Sequence, residues 1–275
     1  MDLKRTLREG DRPVGGWCSL PSPGVAEAMA TAAFDFLTVD TEHSPATAES
    51  VENMLRAVEA APGDTETLVR TADVDPARIK RILDAGPAGI MAPQIHSPAD
   101  AREFVEACRY PPQADGDVTD GDPADERHVD ADGYRGQRGV AGSRASAYGR
   151  RLGEYLRHES GEIAVIAQIE TERAVESAGD IAAVPGIDAL FVGPADLSAA
   201  LGQFGAYDDP AFTAAIEETI VAANDAGVPV GTLATSDDLI DTWLDAGYDF
   251  LIAGTDVGFL SAGADRAIER YEQGI

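Results

Sequence analysis

Lysine is almost missing from the chain. Of its 275 residues only Lys4 and Lys80 are lysines, and Lys and Arg together number 21 against 49 Asp and Glu, a formal net charge of −28. A surface this negative repels nucleic acid and anionic membrane, so neither is expected as a partner. The same shortage argues against Schiff-base catalysis, which needs a desolvated lysine beside the substrate. Lys4 lies in the N-terminal arm and Lys80 in the helical run Ala77-Arg-Ile-Lys-Arg-Ile-Leu83, far from any strand end. Acid excess with so little lysine points to a salt-rich cytoplasm, where about 1 M salt shortens the Debye length to roughly 3 Å and screens the self-repulsion. Cysteine is scarce too: Cys18 and Cys108 form neither a disulfide framework nor a metal-ligand spacing and read as buried thiols. No apolar run approaches the roughly 20 residues that cross a bilayer. The first residues, Met-Asp-Leu-Lys-Arg-Thr-Leu-Arg, lack the apolar centre of a signal peptide, so a cytoplasmic location is expected.

What is present is a rhythm of short β-rich runs alternating with helical patterns, the sign of parallel strands with helical crossovers. Strands are predicted at Val14–Ser19, Phe34–Val39, Thr67–Thr71, Ala88–Ala92, Ile163–Ile169, Ala189–Val192, Val228–Leu233 and Phe250–Ala253. Eight in series is the count of a single-domain α/β protein of the (β/α)8 TIM-barrel class spanning 1–275, with a doubly wound open sheet as the rival. Asp75-Pro76, Ser97-Pro98 and Asp209-Pro210 each place a capping side chain before a proline suited to the first helical position. Val51, Met54, Leu55 and Val58, then Ile79, Ile82 and Leu83, recur at helical spacing. The stretch 113–133, rich in Asp and Gly, has too little apolar surface to order itself and is expected to be a solvated acidic insertion. Its Asp-x-Asp spacings lack the closing Glu and flanking helices of a calcium loop.

Chemistry-bearing residues gather just past predicted strand ends. Glu170 follows Ala164–Ile169 and Asp196 follows Ala189–Val192, and two such carboxylates with water suit a hard divalent cation. Either acid has a plainer use as a cap for the next helix. Asp40-Thr-Glu-His43 sets one histidine beside two acids able to fix its tautomer and tune its basicity. His96 follows the fourth strand without an acidic neighbour in sequence, while His128 falls in the acidic stretch and His158 in a surface helix. Arg70 ends Glu66-Thr-Leu-Val-Arg70, where a barrel would open; its fork suits a substrate carboxylate or a structural pair with Asp40 or Glu42. Gly193-Pro-Ala-Asp196 makes a tight turn whose backbone N–H groups could receive an anion. Together these features suggest a metal-dependent enzyme acting on an oxo acid.

The segments Phe34-Asp-Phe-Leu-Thr-Val-Asp-Thr-Glu-His43, Val69-Arg70, Arg109-Tyr-Pro-Pro112, Gln168-Ile-Glu-Thr171 and Phe191-Val-Gly-Pro-Ala-Asp-Leu-Ser198 run in order over nearly the whole chain, and in combination the sequence resembles the HpcH/HpaI aldolase family of class II pyruvate aldolases. The resemblance implies reversible cleavage of a 4-hydroxy-2-oxo acid to pyruvate and an aldehyde through a metal-stabilised enolate. It implies Glu170 and Asp196 as ligands of a divalent cation (Mg²⁺ or Mn²⁺, with Co²⁺ a further option) and Arg70 on the pyruvyl part of the substrate. Gln168 would line the same pocket with Gly193, Pro194 and Ala195, and His43 with Asp40 would move the proton. Glu42 would stand behind these groups without touching substrate. A homo-oligomer follows from the same likeness, a hexamer with its C-terminal helix exchanged between neighbours. The acidic stretch separates Pro112 from Tyr134-Arg-Gly-Gln-Arg-Gly139, leaving either Arg135 or Arg138 for the family's arginine, in a region that in the family lies near an interface and the site mouth. Related barrels that cleave acyl-CoA thioesters are the alternative activity; a non-catalytic oxo-acid-binding barrel is the third.

Overall fold

The computed structural model describes residues 2–111, 133–157 and 159–274. Eight parallel strands close on themselves in sequence order: β1 (Val14–Cys18), β2 (Phe36–Asp40), β3 (Glu66–Arg70), β4 (Gly89–Ala92), β5 (Ala164–Ile169), β6 (Ala189–Val192), β7 (Val230–Ala234) and β8 (Phe250–Thr255). Closure rules out the open doubly wound sheet. Each expected strand is present, displaced by at most two residues at either end. The acidic stretch 113–133 lies outside the described residues apart from Gly133, as do His128 and His158.

Side chains alternate across each strand, and that parity sorts the two cores. Inward residues Trp17, Phe36, Leu68, Met91, Ile166, Phe191, Phe250 and Ile252 fill the barrel. Outward residues such as Leu37, Val39, Val69, Ile90 and Leu190 meet the helices. The helices start where the sequence signals them: Asp75, Ser97 and Asp209 accept backbone N–H groups ahead of Pro76, Pro98 and Pro210, and Ser22-Pro23 adds a fourth instance. Val51, Met54, Leu55 and Val58 are buried, as are Ile79, Ile82 and Leu83; each such side chain contributes about 1.5–3 kcal/mol of transfer free energy.

The N-terminal arm is a helix, Leu3–Glu9, that stoppers the barrel at the N-terminal ends of its strands. Leu3 and Leu7 join the interior cluster. Lys4 Nζ lies 3.2 Å from Asp188 Oδ2, and Arg8 Nη2 lies 2.8 Å from its Oδ1. Asp188 also accepts the N–H of Val165 at 2.9 Å, so this buried carboxylate ties the stopper to β5. Asp188→Asn keeps the shape but removes the charge opposite two cations, and is expected to lower stability by about 2 kcal/mol, measured as a shifted urea midpoint.

The flanks of the undescribed stretch sit at this same lower end. Arg138 is buried, donates to Asp84 Oδ1 and Tyr155 Oη at 3.1 Å each, and lies 4.4 Å from the Tyr110 ring centre. Arg135 is exposed. Gly136 sits at φ +68 against Tyr110, where a Cβ would lie 2.3 Å from the carbonyl oxygen. Within one chain these residues lie away from the site mouth, contrary to the expectation for this region. Asp84 ends a helix that descends from the upper rim, so its partner Arg138 is carried to the bottom.

Candidate active site

The same parity that fills the interior aims Asp40, Arg70 and Gln168 at the barrel axis, each an even number of positions from an interior residue of its strand, and Glu170, one residue past β5, keeps the same step. Asp40 and Arg70 are register partners across β2 and β3. Arg70 Nε donates to Asp40 Oδ1 at 2.8 Å, Nη1 lies 2.7 Å from Glu42 Oε2, and the guanidinium carbon stands 4.6 Å from the centre of the Trp17 ring. The structural pairing of Arg70 with Asp40 and Glu42 therefore exists. It fixes two nitrogens of the fork and leaves Nη2 without a partner among the described residues, on a side chain that lines the cavity at the barrel's upper mouth.

That cavity, of about 290 Å³, is lined by Asp40, His43, Arg70 and Gln168 on one side and by Gly193, Pro194, Ala195 and Asp196 on another. Eight of the expected site residues thus converge on one space. Glu170 and Glu42 stand behind it, each touching a lining residue. Trp17, Phe191, Leu233, Leu239 and Tyr207 are among the other lining residues and were not expected. The first three were legible in principle, since they are inward-facing by alternation; Leu239 lies in the first turn of the helix Asp237–Ala246 and Tyr207 in the loop before Pro210, where strand parity gives no guide.

Neither metal-candidate acid is used as a helix cap. Thr171 caps the helix Glu172–Glu176, accepting from Ala174 N, which leaves the Glu170 carboxylate free for other partners. Its Oε1 accepts the N–H of Gln94 at 2.7 Å and its Oε2 accepts Gln168 Nε2 at 2.7 Å. Gln94 holds that N–H in place from φ +56, a left-handed conformation costly for a residue with a Cβ, and strain of this kind gathers at functional sites. The helix Pro194–Ala200 begins after Gly193, and Asp196 sits in its first turn with no cap bond. Burial, then the charges of Asp196 and Glu42, push Glu170 up to about 7, against the lowering effects of the Gln94 N–H and Arg70. Burial also raises Glu42, against Arg70 and His43.

The donor set fits a hard divalent cation. Glu170 is a buried carboxylate crowded by like charge, and the neighbouring Gln168 Oε1 is a buried oxygen without a hydrogen-bond partner. Among the described residues no three His, Cys, Asp or Glu side chains form a metal cage, so such an ion would rely on two carboxylates and water, as Mg²⁺-type ions accept.

Gly193 permits this arrangement. A Cβ there would lie 2.6 Å from Gln168 Nε2 and 3.3 Å from Glu170 Oε2. Gly193→Ala is expected to push the Gln168 amide off Glu170 and lower kcat/KM by about 100-fold with little change in unfolding temperature. Steady-state kinetics and a thermal melt on the same sample check both halves.

The expected pairing of Asp40 with His43 is absent. Asp40 ends its strand facing inward and is taken by Arg70 Nε and the N–H of Glu42, at 2.8 and 3.0 Å. His43 stands three residues on, in the connection, 67% exposed, with Nε2 3.9 Å from Glu42 Oε1. His96 turns away from the cavity wall to Thr171 Oγ1, 3.1 Å from its Nδ1. Cys18 and Cys108 are free and buried, their thiols pushed up to about 12 by burial, which leaves them inert at neutral pH.

Residues 14–262 match the family described as HpcH/HpaI aldolase/citrate lyase. The chain is 35% identical to the 4-hydroxy-2-oxovalerate aldolase of Novosphingobium aromaticivorans, covering 99% of this chain and 95% of that one. It is 37% identical to the hydroxypyruvate/pyruvate aldolase of Paraburkholderia phytofirmans, over 97% and 96% respectively. Among solved structures, an HpcH/HpaI aldolase/citrate lyase family protein from Burkholderia cenocepacia superposes with a TM-score of 0.88 at 38% identity, covering 98% of both chains.

Proposed function

Because the chain belongs to the HpcH/HpaI aldolase/citrate lyase family, we propose that it is a metal-dependent aldolase that reversibly cleaves a 4-hydroxy-2-oxo acid to pyruvate and an aldehyde. The observation that carries this reading is Arg70, buried yet lining the cavity, with two nitrogens fixed by Asp40 and Glu42 and a third left over. An arginine held so firmly at a barrel mouth is a preorganised receptor for an oxyanion.

Glu170 and Asp196 would hold the cation, with Mg²⁺, Mn²⁺ or Co²⁺ all suited to the donors. When bound, it would draw the oxo acid into place and act as a Lewis acid on the carbonyl. The chain's own groups do the rest. His43 takes the proton of the C4 hydroxyl, and Glu42 beside its Nε2 steadies the charge that results. As the C3–C4 bond breaks, the aldehyde leaves and the electron pair passes into the pyruvate enolate. Arg70 donates to the enolate oxygen as its charge grows. Return of a proton to C3 completes pyruvate. Asp40 keeps Arg70 aimed, and Gln168 keeps Glu170 aimed.

The CoA-ester alternative would need cations at the mouth for the phosphates, whereas among the described residues lining the cavity Arg70 is the sole Lys or Arg. Homo-oligomerisation, a hexamer by family likeness, is part of the same proposal. The C-terminal helix Asp256–Glu272 presents Phe259, Leu260, Ile268 and Tyr271 at 47–72% exposure, an apolar face for a neighbouring copy. No helix among the described residues is long and apolar enough to cross a membrane, and a cytoplasmic location remains the proposal that goes with a free-acid substrate. The test is pyruvate release from a panel of 4-hydroxy-2-oxo acids in molar KCl, with and without EDTA. Pyruvate that appears with metal and stops on chelation is expected; none from any acid, with the protein folded, would end the aldolase reading.

A further inference from the structure

Two aspartates, Asp188 and Asp256, are equally buried, each 2% exposed, and lie at opposite ends of the barrel. Asp188 belongs to the stopper. Asp256 begins the C-terminal helix and has no cationic partner among the described residues. Instead its carboxylate accepts three backbone N–H groups: Ser19 at 3.0 Å, Leu20 at 2.8 Å and Val257 at 2.8 Å.

Ser19 and Leu20 follow β1, at the seam where the barrel closes. There the ladder between β1 and β8 slips: Gly15 pairs with Ile252, but Trp17 pairs with Thr255. A slipped ladder leaves the N–H groups beyond it without their usual acceptors. Asp256 supplies those acceptors from a side chain and so continues the seam past the strands. What it secures is one wall of the cavity. Trp17, Ser19 and Thr255 all line that space, and the Trp17 ring is the face against which Arg70 lies.

We propose that Asp256 is a positioning residue for the active site: by clamping the loop after β1 it holds Trp17 in place, and through Trp17 it sets the orientation of Arg70. The proposal rests on the aldolase reading for its kinetic consequence but not for its structural one. The clamp also links the site to the C-terminal helix, since Asp256 is that helix's first residue and Thr255 caps it through Gly258 N at 3.0 Å.

The experiment compares Asp256→Asn with Asp188→Asn as the control of equal burial. Asn keeps the volume of Asp256 but turns an NH₂ toward an N–H it must accept. Three readouts are taken on each protein: pyruvate release, Mn²⁺ affinity by calorimetry, and tryptophan emission, to which Trp17 and Trp243 alone contribute. For Asp256→Asn, kcat is expected to fall by about 10- to 100-fold, the cost of a misplaced catalytic group, with Mn²⁺ affinity unchanged and emission shifted to the red as water reaches Trp17. For Asp188→Asn, only the unfolding midpoint should move. Equal kinetic losses in both variants, or unchanged kcat and emission in Asp256→Asn, would overturn the proposal. A wild type that releases no pyruvate but shows the red shift in Asp256→Asn would remove the aldolase reading and leave the clamp standing. Should Asp256→Asn not fold, Asp256→Glu, which keeps the charge and moves it by one methylene, is read in the same way.

Discussion

Arg70→Ala is expected to lower kcat by about 100- to 1,000-fold, the loss seen when one preorganised oxyanion donor is removed. The structure makes this loss larger than a missing contact alone. Asp40 and Glu42 both face Arg70, and deleting the guanidinium leaves the buried Asp40 and the partly buried Glu42 without the charge that faced them. Arg70→Lys is expected to recover little, because one ammonium cannot meet Asp40, Glu42 and the substrate with the geometry of a planar fork. KM for the oxo acid should rise less than kcat falls, since the charge that Arg70 meets is greatest after the C3–C4 bond begins to break. Steady-state kinetics at saturating metal separates the two parameters, and turnover near the wild-type level in Arg70→Ala would remove this residue from the mechanism.

Chelation should abolish activity, and the effect of pH on metal binding should follow Glu170. Its pKa is raised to about 7 from 4.5, chiefly by burial. In the metal-free protein the folded state therefore keeps a proton that the unfolded chain has already released, so between pH 4.5 and about 7 stability falls as pH rises. A cation at Glu170 must displace that proton. Below about pH 7 its apparent affinity is expected to drop by roughly tenfold per pH unit, and above it to level off. Calorimetry in two buffers of different ionisation enthalpy would register the released proton at pH 6 and its near absence at pH 8. The rise in unfolding temperature on adding Mn²⁺ should accordingly be greater at pH 8 than at pH 5.5. Glu170→Gln, which has no proton to release, should lose metal affinity at both values.

The strands were legible because parallel barrel strands are buried on both faces, and runs such as Ala164–Ile169 and Ala189–Val192 announce this without ambiguity. Capping chemistry located the helices for the same local reason. The site was legible wherever function rides on strand parity: Asp40, Arg70, Gln168 and Glu170 face inward because they fall on the same alternate positions as Phe36, Leu68 and Ile166. Parity ends with the strand. His43 lies beyond it, so its distance from Asp40 could not be read, and proximity in sequence suggested a pair that the fold does not make. Gln94 was invisible because a left-handed glutamine has no sequence signature; its neighbour Pro93 says only that the chain turns. The stopper helix was missed since Leu3 and Leu7 alone are too few to show a period.

Arg8 reaches Asp188 across 180 positions of chain. The helix Leu3–Glu9 is synthesised before β5 and β6 and therefore has no finished seat until both have been made and joined to the sheet, and closing so long a loop contributes nothing until those contacts exist. A segment made before its seat is fastened late. A fluorophore or a protease site placed at Glu9, exposed and at the end of that helix, would accordingly report completion of the whole barrel instead of the folding of its own neighbourhood.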